Sequence, residues 1–393
     1  LKLRRIALIV ALGMLAVACT AASEPTTTTV APSTTTTSTT LATTTTTLLE
    51  VGGEGVDPQL TALVRALYVL PDGEGAIAAP ASVVDGFRKA QNPTTPGQAT
   101  AYVGEIGNGT RVAVVEAGGD VTLAVADPGW KVVGGWWPSH QVGAELGEFP
   151  RTVAVVGSDA RPNENRDTAR SDSIHFVTLD GEGSAVLVGL PRDSWVTIPS
   201  GGHSKVNSAL AFGGPELMME TFTELTGAEF DGYLLTGFAG FQDMIEVLGG
   251  LEIDVPRALN DRSAKASIDA GLQVLKASDA LAFTRVRKDL PDGDFGRQAN
   301  GGLALIAGAV MVKEMGVSAI PALMESSWDM YSTDMTAEEL LTLAAAVTRV
   351  DLEKTSNVVA AGSPGSAGGG SVVFLADSAY VTFEDMVDGH LEE

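Results

Sequence analysis

Arginines and aspartates recur together in short runs along this chain. They read Gly157-Ser-Asp159-Ala-Arg161, Arg170-Ser-Asp172 and Pro191-Arg192-Asp193, then Arg285-Val-Arg287 and Asp294-Phe-Gly-Arg297-Gln298. The whole chain carries a formal charge of -24 at pH 7 and a pI near 4.4, so general basicity does not explain the runs. A guanidinium stays protonated, and its planar fork matches phosphate oxygens. Aspartates brought from separate loops suit a hard cation held by carboxylates and substrate oxygens. The pattern points to a site for a polyanion together with a divalent metal.

Each run lies beside an apolar segment that reads as a strand. Asp159 and Arg161 follow Thr152–Val156, Arg170 and Asp172 precede Ile174–Leu179, and Arg192 and Asp193 follow Ala185–Leu190. Ligands of open α/β sheets bind at strand ends, so these runs can converge. A single Asp–Arg pair would be a surface ion pair worth little. Three such pairs at strand edges of an acidic protein favour a site. Arg285 and Arg287 are two residues apart, and on a strand they would face the same side. Like charges so placed repel unless an anion lies between them, which suggests a phosphate or pyrophosphate, with carboxylates as the structural alternative.

The elements around these runs alternate between strands and helices, the signature of an α/β domain. Asp180-Gly-Glu-Gly183 reads as a hairpin turn between two of the strands. Apolar residues at helical spacing predict helices over Pro215–Leu225, Phe238–Leu248 and Leu303–Met315, and Thr336-Ala-Glu-Glu339 is a capping box opening another. Ser363–Gly370 reads as a Gly-rich loop, followed by a strand at Val372–Leu375. Ahead of this domain, residues 51–148 read as a small α+β module. It has a helix at Pro58–Leu70 and a hairpin joined by Gly118-Gly119, and its Trp136-Trp137 pair fits a packed corner better than a sugar platform. His175 falls in a strand and His203 in a loop, and no metal spacing links the histidines.

The remaining composition bounds the context. The 393 residues are enough for two domains, and 45% hydrophobic content fits a folded chain. Acidity excludes a nucleic-acid binder, which needs a basic stripe. The one Cys excludes a zinc cluster. Lys2, Arg4 and Arg5 precede an apolar stretch, Ile6–Val17, that is short for a membrane span, and Ala18-Cys19 follows at once. Residues 1–19 therefore resemble a bacterial signal ending in a lipobox, with Cys19 the lipidated residue; plain secretion or an uncleaved anchor are the alternatives. Residues 20–50, rich in Thr, predict a disordered stalk. All of these readings put the folded part outside the cytoplasm, and the lipidated and anchored ones attach it through its N-terminus to the outer face of the bacterial cytoplasmic membrane.

Six segments occur in the order found in the LytR-CpsA-Psr family, and the chain resembles that family over roughly residues 150–315. They are Arg170-Ser-Asp172, Leu190-Pro-Arg-Asp193, Lys205-Val-Asn207 with Ala211-Phe-Gly-Gly-Pro215, Gly249-Gly-Leu-Glu-Ile-Asp-Val-Pro256, Ala282-Phe-Thr-Arg-Val-Arg287, and Asp294-Phe-Gly-Arg297-Gln298. The resemblance implies, for residues 149–393, an α/β domain with a central mixed β-sheet flanked by helices and an apolar pocket for a prenyl chain. It implies a Mg²⁺-dependent phosphotransferase that moves a glycopolymer from a polyprenyl-pyrophosphate carrier to a peptidoglycan acceptor. By motif position it implies Asp159 and Asp172 as metal carboxylates. Arg170, Arg192, Arg285, Arg287, Arg297 and Gln298 become pyrophosphate contacts, and Arg170, Arg192 and Asp193 the catalytic set, with Asp193 acting as a base or orienting Arg192. One departure stands out: the family's second Arg-Gln pair is replaced by Asn300 and Gly301. A polyprenyl-pyrophosphate hydrolase and a binding-only lipoprotein are the alternative functions.

Overall fold

The computed structural model describes residues 49–70, 77–107 and 109–391. Cys19, the signal-like segment and nearly all of the Thr-rich segment lie outside the described residues.

The first sheet holds six strands in sequence order: β1 (Glu50–Gly52), β2 (Gln98–Ile106), β3 (Thr110–Ala117), β4 (Asp120–Ala126), β5 (Trp130–Trp137) and β6 (Val142–Glu145). β1 runs parallel to β2 and the rest are antiparallel. Gly118 and Gly119, both at positive φ, make the two-residue turn between β3 and β4. Helices α1 (Pro58–Val69) and α2 (Ala81–Lys89) cover one face. The α1 residues Leu60, Val64 and Leu67 pack there with Val115, Val132 and Trp137. Trp137 is fully buried with its Nε1–H on Thr122 Oγ1 at 2.8 Å, the packed corner expected of the Trp pair. The opposite face supplies Val112, Val114, Val121 and Leu123 to a second core that also contains Val153, Leu179 and Leu187. This is why β4 is buried on both faces instead of alternating.

The second sheet is mixed. Its meander comprises β7 (Arg151–Ser158), β8 (Ser171–Leu179) and β9 (Ala185–Gly189), all antiparallel. A small hairpin follows, β10 (Trp195–Thr197) with β11 (His203–Lys205), so His203 lies on a short strand and not in a loop. Helix α3 (Ser208–Thr226) breaks at Gly213-Gly214 and restarts at Pro215; the predicted helix is its second half, stopped by Gly227 at φ 70. Then come β12 (Gly232–Thr236), parallel to β7, and α4 (Phe238–Val247). Two more hairpins follow: β13 (Leu251–Val255) with β16 (Gly271–Leu275), and between them β14 (Leu259–Asp261) with β15 (Ala266–Ile268).

The C-terminal part completes the sheet. After α5 (Ala277–Arg285), α6 (Asp294–Met315) and α7 (Ile320–Ser327), a short β17 (Tyr331–Ser332) pairs with β12. Helix α8 (Ala337–Val347) opens with the Thr336/Glu339 capping box that the sequence predicts. Strand β18 (Thr355–Val359) adds parallel to β9, giving the order β17-β12-β7-β8-β9-β18. Hairpin β19 (Gly362–Ala367) with β20 (Gly370–Leu375) and helix α9 (Asp377–Asp385) close the domain. The expected Gly-rich loop at 363–370 is therefore mostly strand. Its glycines serve the turn, where Gly368 and Gly369 hold φ of 56 and 79.

Two elements differ from expectation in ways that move the site. Arg285-Val-Arg287 is not a strand. The buried Ala277, Ala280 and Phe283 follow helical spacing, so Arg285 is the last residue of α5 and Arg287 lies in the loop beyond it. Helix α6 starts nine residues before the predicted Leu303, at Asp294. Its glycines hid it, because Gly is a poor helix former. Here they allow close contact: a Cβ at Gly302 would lie 2.0 Å from Asn357 Oδ1 of β18.

Candidate active site

The first site element is an irregularity. Between β7 and β8, Gly157 pairs with Ser173 but Ser158 pairs with Ser171, which leaves Asp172 as an extra residue. A bulge of this kind re-aims a side chain at a sheet end. Beside it, Asp159 clasps the Arg170 backbone with both its own backbone and its side chain. Asp159 N–H donates to the Arg170 carbonyl at 2.8 Å, and Arg170 N–H donates to Asp159 Oδ1 at 3.0 Å. The chain leaving β9 supplies Arg192, whose guanidinium donates to Asp172 Oδ1 and whose backbone N–H donates to Asp294 Oδ2 at 3.1 Å. Asp193 takes Lys205 Nζ at 2.8 Å and Arg287 Nη2 at 3.4 Å.

These side chains surround one polar cavity of about 290 Å³, lined by Asp159, Arg170, Asp172, Arg192, Asp193, Lys205, Asn207, Arg287 and Ser371. Four cations face three carboxylates there, so the cavity is locally positive in a strongly acidic chain. Among the described residues, Arg170 has no carboxylate within ion-pair distance, so its charge is available to a ligand. Burial disfavours the charged forms of both Arg192 and Asp193. For Arg192 the Asp172, Asp294 and Asp193 carboxylates outweigh burial and hold the guanidinium above its usual range. For Asp193 the Lys205, Arg192 and Arg287 charges do the same, holding the carboxyl below its usual range. Arg192 Nε is buried without a hydrogen-bond partner among the described residues, an orphan donor that a ligand oxygen would satisfy.

The donor set is compatible with a hard divalent cation. The second oxygens of Asp159 and Asp172 take no hydrogen bond among the described residues. No cluster of three or more ligating side chains occurs among those residues, so no all-protein cage is present. Mg²⁺ is typically held this way, by one or two carboxylates with the rest of the shell from phosphate oxygens and water.

A second cavity, of about 300 Å³ and almost wholly apolar, adjoins the first; Asp172 lines both. Phe241 and Met244 of α4, Leu248 just beyond it, Leu281 of α5, and Ala304, Leu305, Gly308 and Val312 of α6 form its walls. Arg285 and Arg297 lie on this lining too. The expected Arg285/Arg287 pair is thus split between the two cavities. Arg285 stacks over the Phe238 ring at 4.4 Å and Arg287 reaches Asp193.

Arg297 and Gln298 act mainly inside the protein. Arg297 is buried and donates to the Asp172 carbonyl at 2.8 Å, with Asp294 Oδ1 at 2.7 Å. Burial lowers its pKa, against the pull of Asp294 and Asp172. Gln298 lines neither cavity; its amide spans Ile174 N–H and the Asp172 carbonyl, fixing α6 to the bulge. Together the two side chains hold Asp172 from behind.

The Asn300/Gly301 departure has a physical counterpart. A Cβ at Gly301 would lie 2.5 Å from His175 Cε1, so the buried His175 ring occupies the space a longer residue would need. His175 shares a 2.8 Å hydrogen bond with the Gln298 carbonyl and is pushed down to about 4, chiefly by burial, so it is neutral near pH 7. Asn300 is buried too, donating to the Phe283 carbonyl at 3.3 Å.

Four contributors were not singled out from sequence. Lys205, Asn207 and Asp294 stand inside quoted motifs without assigned roles. Asp261 caps the turn after α5, accepting from Arg287 N–H at 3.1 Å and Lys288 N–H at 2.9 Å. Nothing local marked Asp261 for this role, since Arg287 and Lys288 are 26 and 27 residues away in sequence.

The protein is a mixed-sheet α/β domain in which a cation-rich cavity joins an apolar one. The LytR_cpsA_psr family model matches residues 137–383, more than half of the chain, and the chain belongs to that family. It is 35% identical over 151 residues to the polyisoprenyl-teichoic acid–peptidoglycan teichoic acid transferase TagU of Bacillus cereus, covering 38% of this chain and 48% of that one. It is 32% identical over 145 residues to a Corynebacterium glutamicum protein named "Probable cell wall biosynthesis protein LcpB", covering 34% and 35%. The chain spans about half the length of such relatives, or less. Among solved structures it is similar to Bacillus subtilis TagV, with a TM-score of 0.54 at 24% identity over 62% of this chain and 98% of that one. It is also similar to TagT bound to LI-WTA, with a TM-score of 0.51 at 22% identity, covering 62% and 91%. These structural likenesses establish the shared fold.

Proposed function

We propose that this protein transfers a glycopolymer phosphate from a polyprenyl-pyrophosphate carrier to peptidoglycan, outside the cytoplasm and tethered to the membrane through its N-terminus. The observation that carries the reading is the junction at Asp172, where a locally positive cavity meets an apolar one. That pairing suits an amphiphile with an anionic head and a hydrocarbon tail. The names of relatives such as the B. cereus teichoic acid transferase support the same substrate class.

In this reading Arg170, Arg192, Lys205 and Arg287 bind the pyrophosphate oxygens, and the apolar walls of α4, α5 and α6 take the prenyl chain. Asp159 and Asp172 would hold Mg²⁺, which supplies neutralisation of charge on the phosphoryl oxygens. An acceptor sugar hydroxyl attacks the phosphorus that carries the glycopolymer. The bond from that phosphorus to the bridging oxygen breaks, polyprenyl phosphate leaves, and the hydroxyl proton passes to water. Such chemistry rests on positioning and electrostatics rather than on a covalent intermediate. Asp193, held ionised between Lys205 and Arg287, is a poor base and serves to aim those two cations.

The test supplies the purified chain with a polyprenyl-pyrophosphate-linked glycan, peptidoglycan fragments and Mg²⁺, beside Arg192→Ala. Release of polyprenyl phosphate with glycan appearing on the acceptor, lost in the variant, supports the transferase. Release without transfer would make it a hydrolase. Tight retention of the lipid with neither event would make it a binding-only protein.

A further inference from the structure

We propose that a third, shallow cavity beside the candidate active site, formed by Trp195, Thr197, His203, Glu224 and Tyr380, binds a pyranose ring of a glycan. The proposal rests on the phosphotransfer reading above and deepens it by giving the sugar a site. The cavity is about 200 Å³, below the usual range for pockets that enclose drug-sized ligands and suited to a single ring. Its lining is mostly polar, with the Trp195, His203 and Tyr380 rings set among the polar groups, a composition that lets an amphipathic ring pack on an aromatic while its hydroxyls are bonded. Trp195 is half-buried and Tyr380 is 45% exposed, although both are large rings that a core would cover. The His203 ring lies within 23° of parallel to Trp195, with centroids 6.5 Å apart. Thr197, His203 and the exposed Glu224 offer donors and acceptors for hydroxyls.

The cavity is built on regular elements. Tyr380 is braced edge-on against the buried Phe383 within α9, Glu224 stands on α3, and the other three residues stand on the β10–β11 hairpin. That hairpin also sets the relation to the phosphate site. Trp195 pairs with Lys205 and Thr197 with His203, so all four side chains share one face. Lys205 reaches Asp193 in the polar cavity, and His203 lies two residues away, roughly 7 Å along the strand. One sugar unit bridges such a span. The β19–β20 hairpin spans both sites as well. Its Ser371 lines the polar cavity, and its turn residue Gly368 approaches Trp195 so closely that a Cβ there would lie 2.6 Å from the indole. A glycan whose phosphate or attacking hydroxyl sits among the arginines would therefore run along this face.

Two glycans offer this chemistry: the acceptor strand and the first sugars of the lipid-linked donor. The experiment measures binding of a soluble N-acetylglucosamine–N-acetylmuramic acid tetrasaccharide, and separately of a disaccharide on polyprenyl pyrophosphate, to the full chain, Trp195→Ala and Tyr380→Ala. Tyr380 is on the surface, so its variant keeps the test meaningful if Trp195→Ala does not fold. Loss of roughly tenfold in affinity for the soluble tetrasaccharide alone supports the proposal with the acceptor as occupant. The same loss for the lipid-linked probe alone supports it with the donor as occupant. If Tyr380→Ala binds both probes as the unmodified chain does, or if neither probe binds the unmodified chain, the sugar site is overturned. Release of polyprenyl phosphate by the unmodified chain against Arg192→Ala reports on the phosphotransfer reading independently, so the two failures are told apart.

Discussion

Gly308→Leu is the sharpest probe of the apolar cavity. Gly308 is on α6 and lines that cavity, and a Cβ built there meets nothing within 4 Å. A leucine would project its four side-chain carbons into the cavity. If a prenyl chain fills that space, about four of its methylene-sized groups lose their place, at about 0.8 kcal/mol each. The sum is about 3 kcal/mol, or roughly a hundredfold weaker binding. The folded protein should not suffer, because replacing a helical Gly with a good helix former gains up to about 1 kcal/mol. The assay titrates a fluorescent polyprenyl pyrophosphate into both proteins and records urea midpoints alongside. Inorganic pyrophosphate, which lacks the tail, should bind both equally. A folded Gly308→Leu protein that holds the long-chain probe as tightly as the unmodified chain would refute the assignment of this cavity to the lipid.

Other tests address the frame around the arginines. Gly301→Gln, restoring a residue type usual for the family, should destabilise the fold by about 2 kcal/mol or more, because its Cβ meets the His175 ring at 2.5 Å. Combining it with His175→Ala should recover part of the loss, and strict additivity in a double-mutant cycle would mean the two positions do not compete. His175 also makes stability depend on pH. Its folded-state value of about 4 lies below the unfolded value near 6.5, so the unfolded chain binds the extra proton first. Stability should be complete above pH 6.5 and fall by on the order of 2–3 kcal/mol as pH drops towards 4. His175→Gln should flatten that slope, and equal slopes in urea titrations would count against the assignment. Asp261 acts in a more acid window. Burial tends to raise its pKa, but backbone N–H groups of Arg287, Lys288, Ser263 and Ala264 hold it at about 2. Its contribution is present above about pH 4 and fades as pH falls towards 2, on the order of 1–2 kcal/mol. Asp261→Asn should lose that window at neutral pH and weaken pyrophosphate binding by displacing Arg287; unchanged binding would show that the turn holds without it.

The sequence by itself determined the three strands β7, β8 and β9 with the hairpin turn between the last two, the α/β character and the run of motifs that place the family. Those features are local: a strand shows as an apolar run and a turn as Gly with Asp. Asp159, Arg170, Asp172, Arg192 and Asp193 stood out because charges at strand ends in an acidic chain need a reason. Tertiary structure decided what each charge faces. Two arginines at i and i+2 fit a strand or a helix end, and only packing of Ala280 and Phe283 put Arg285 at the end of α5, against Phe238. The start of α6 was hidden because its glycines oppose helix locally and are repaid by close contacts with β8 and β18. Gln298 turned inward for the same reason, since α6 packs against the bulge. The ion pairs of Asp193 and the meeting of the two cavities at Asp172 join residues 12 to 125 positions apart, and distances of that kind are fixed by the fold and leave no period in the sequence.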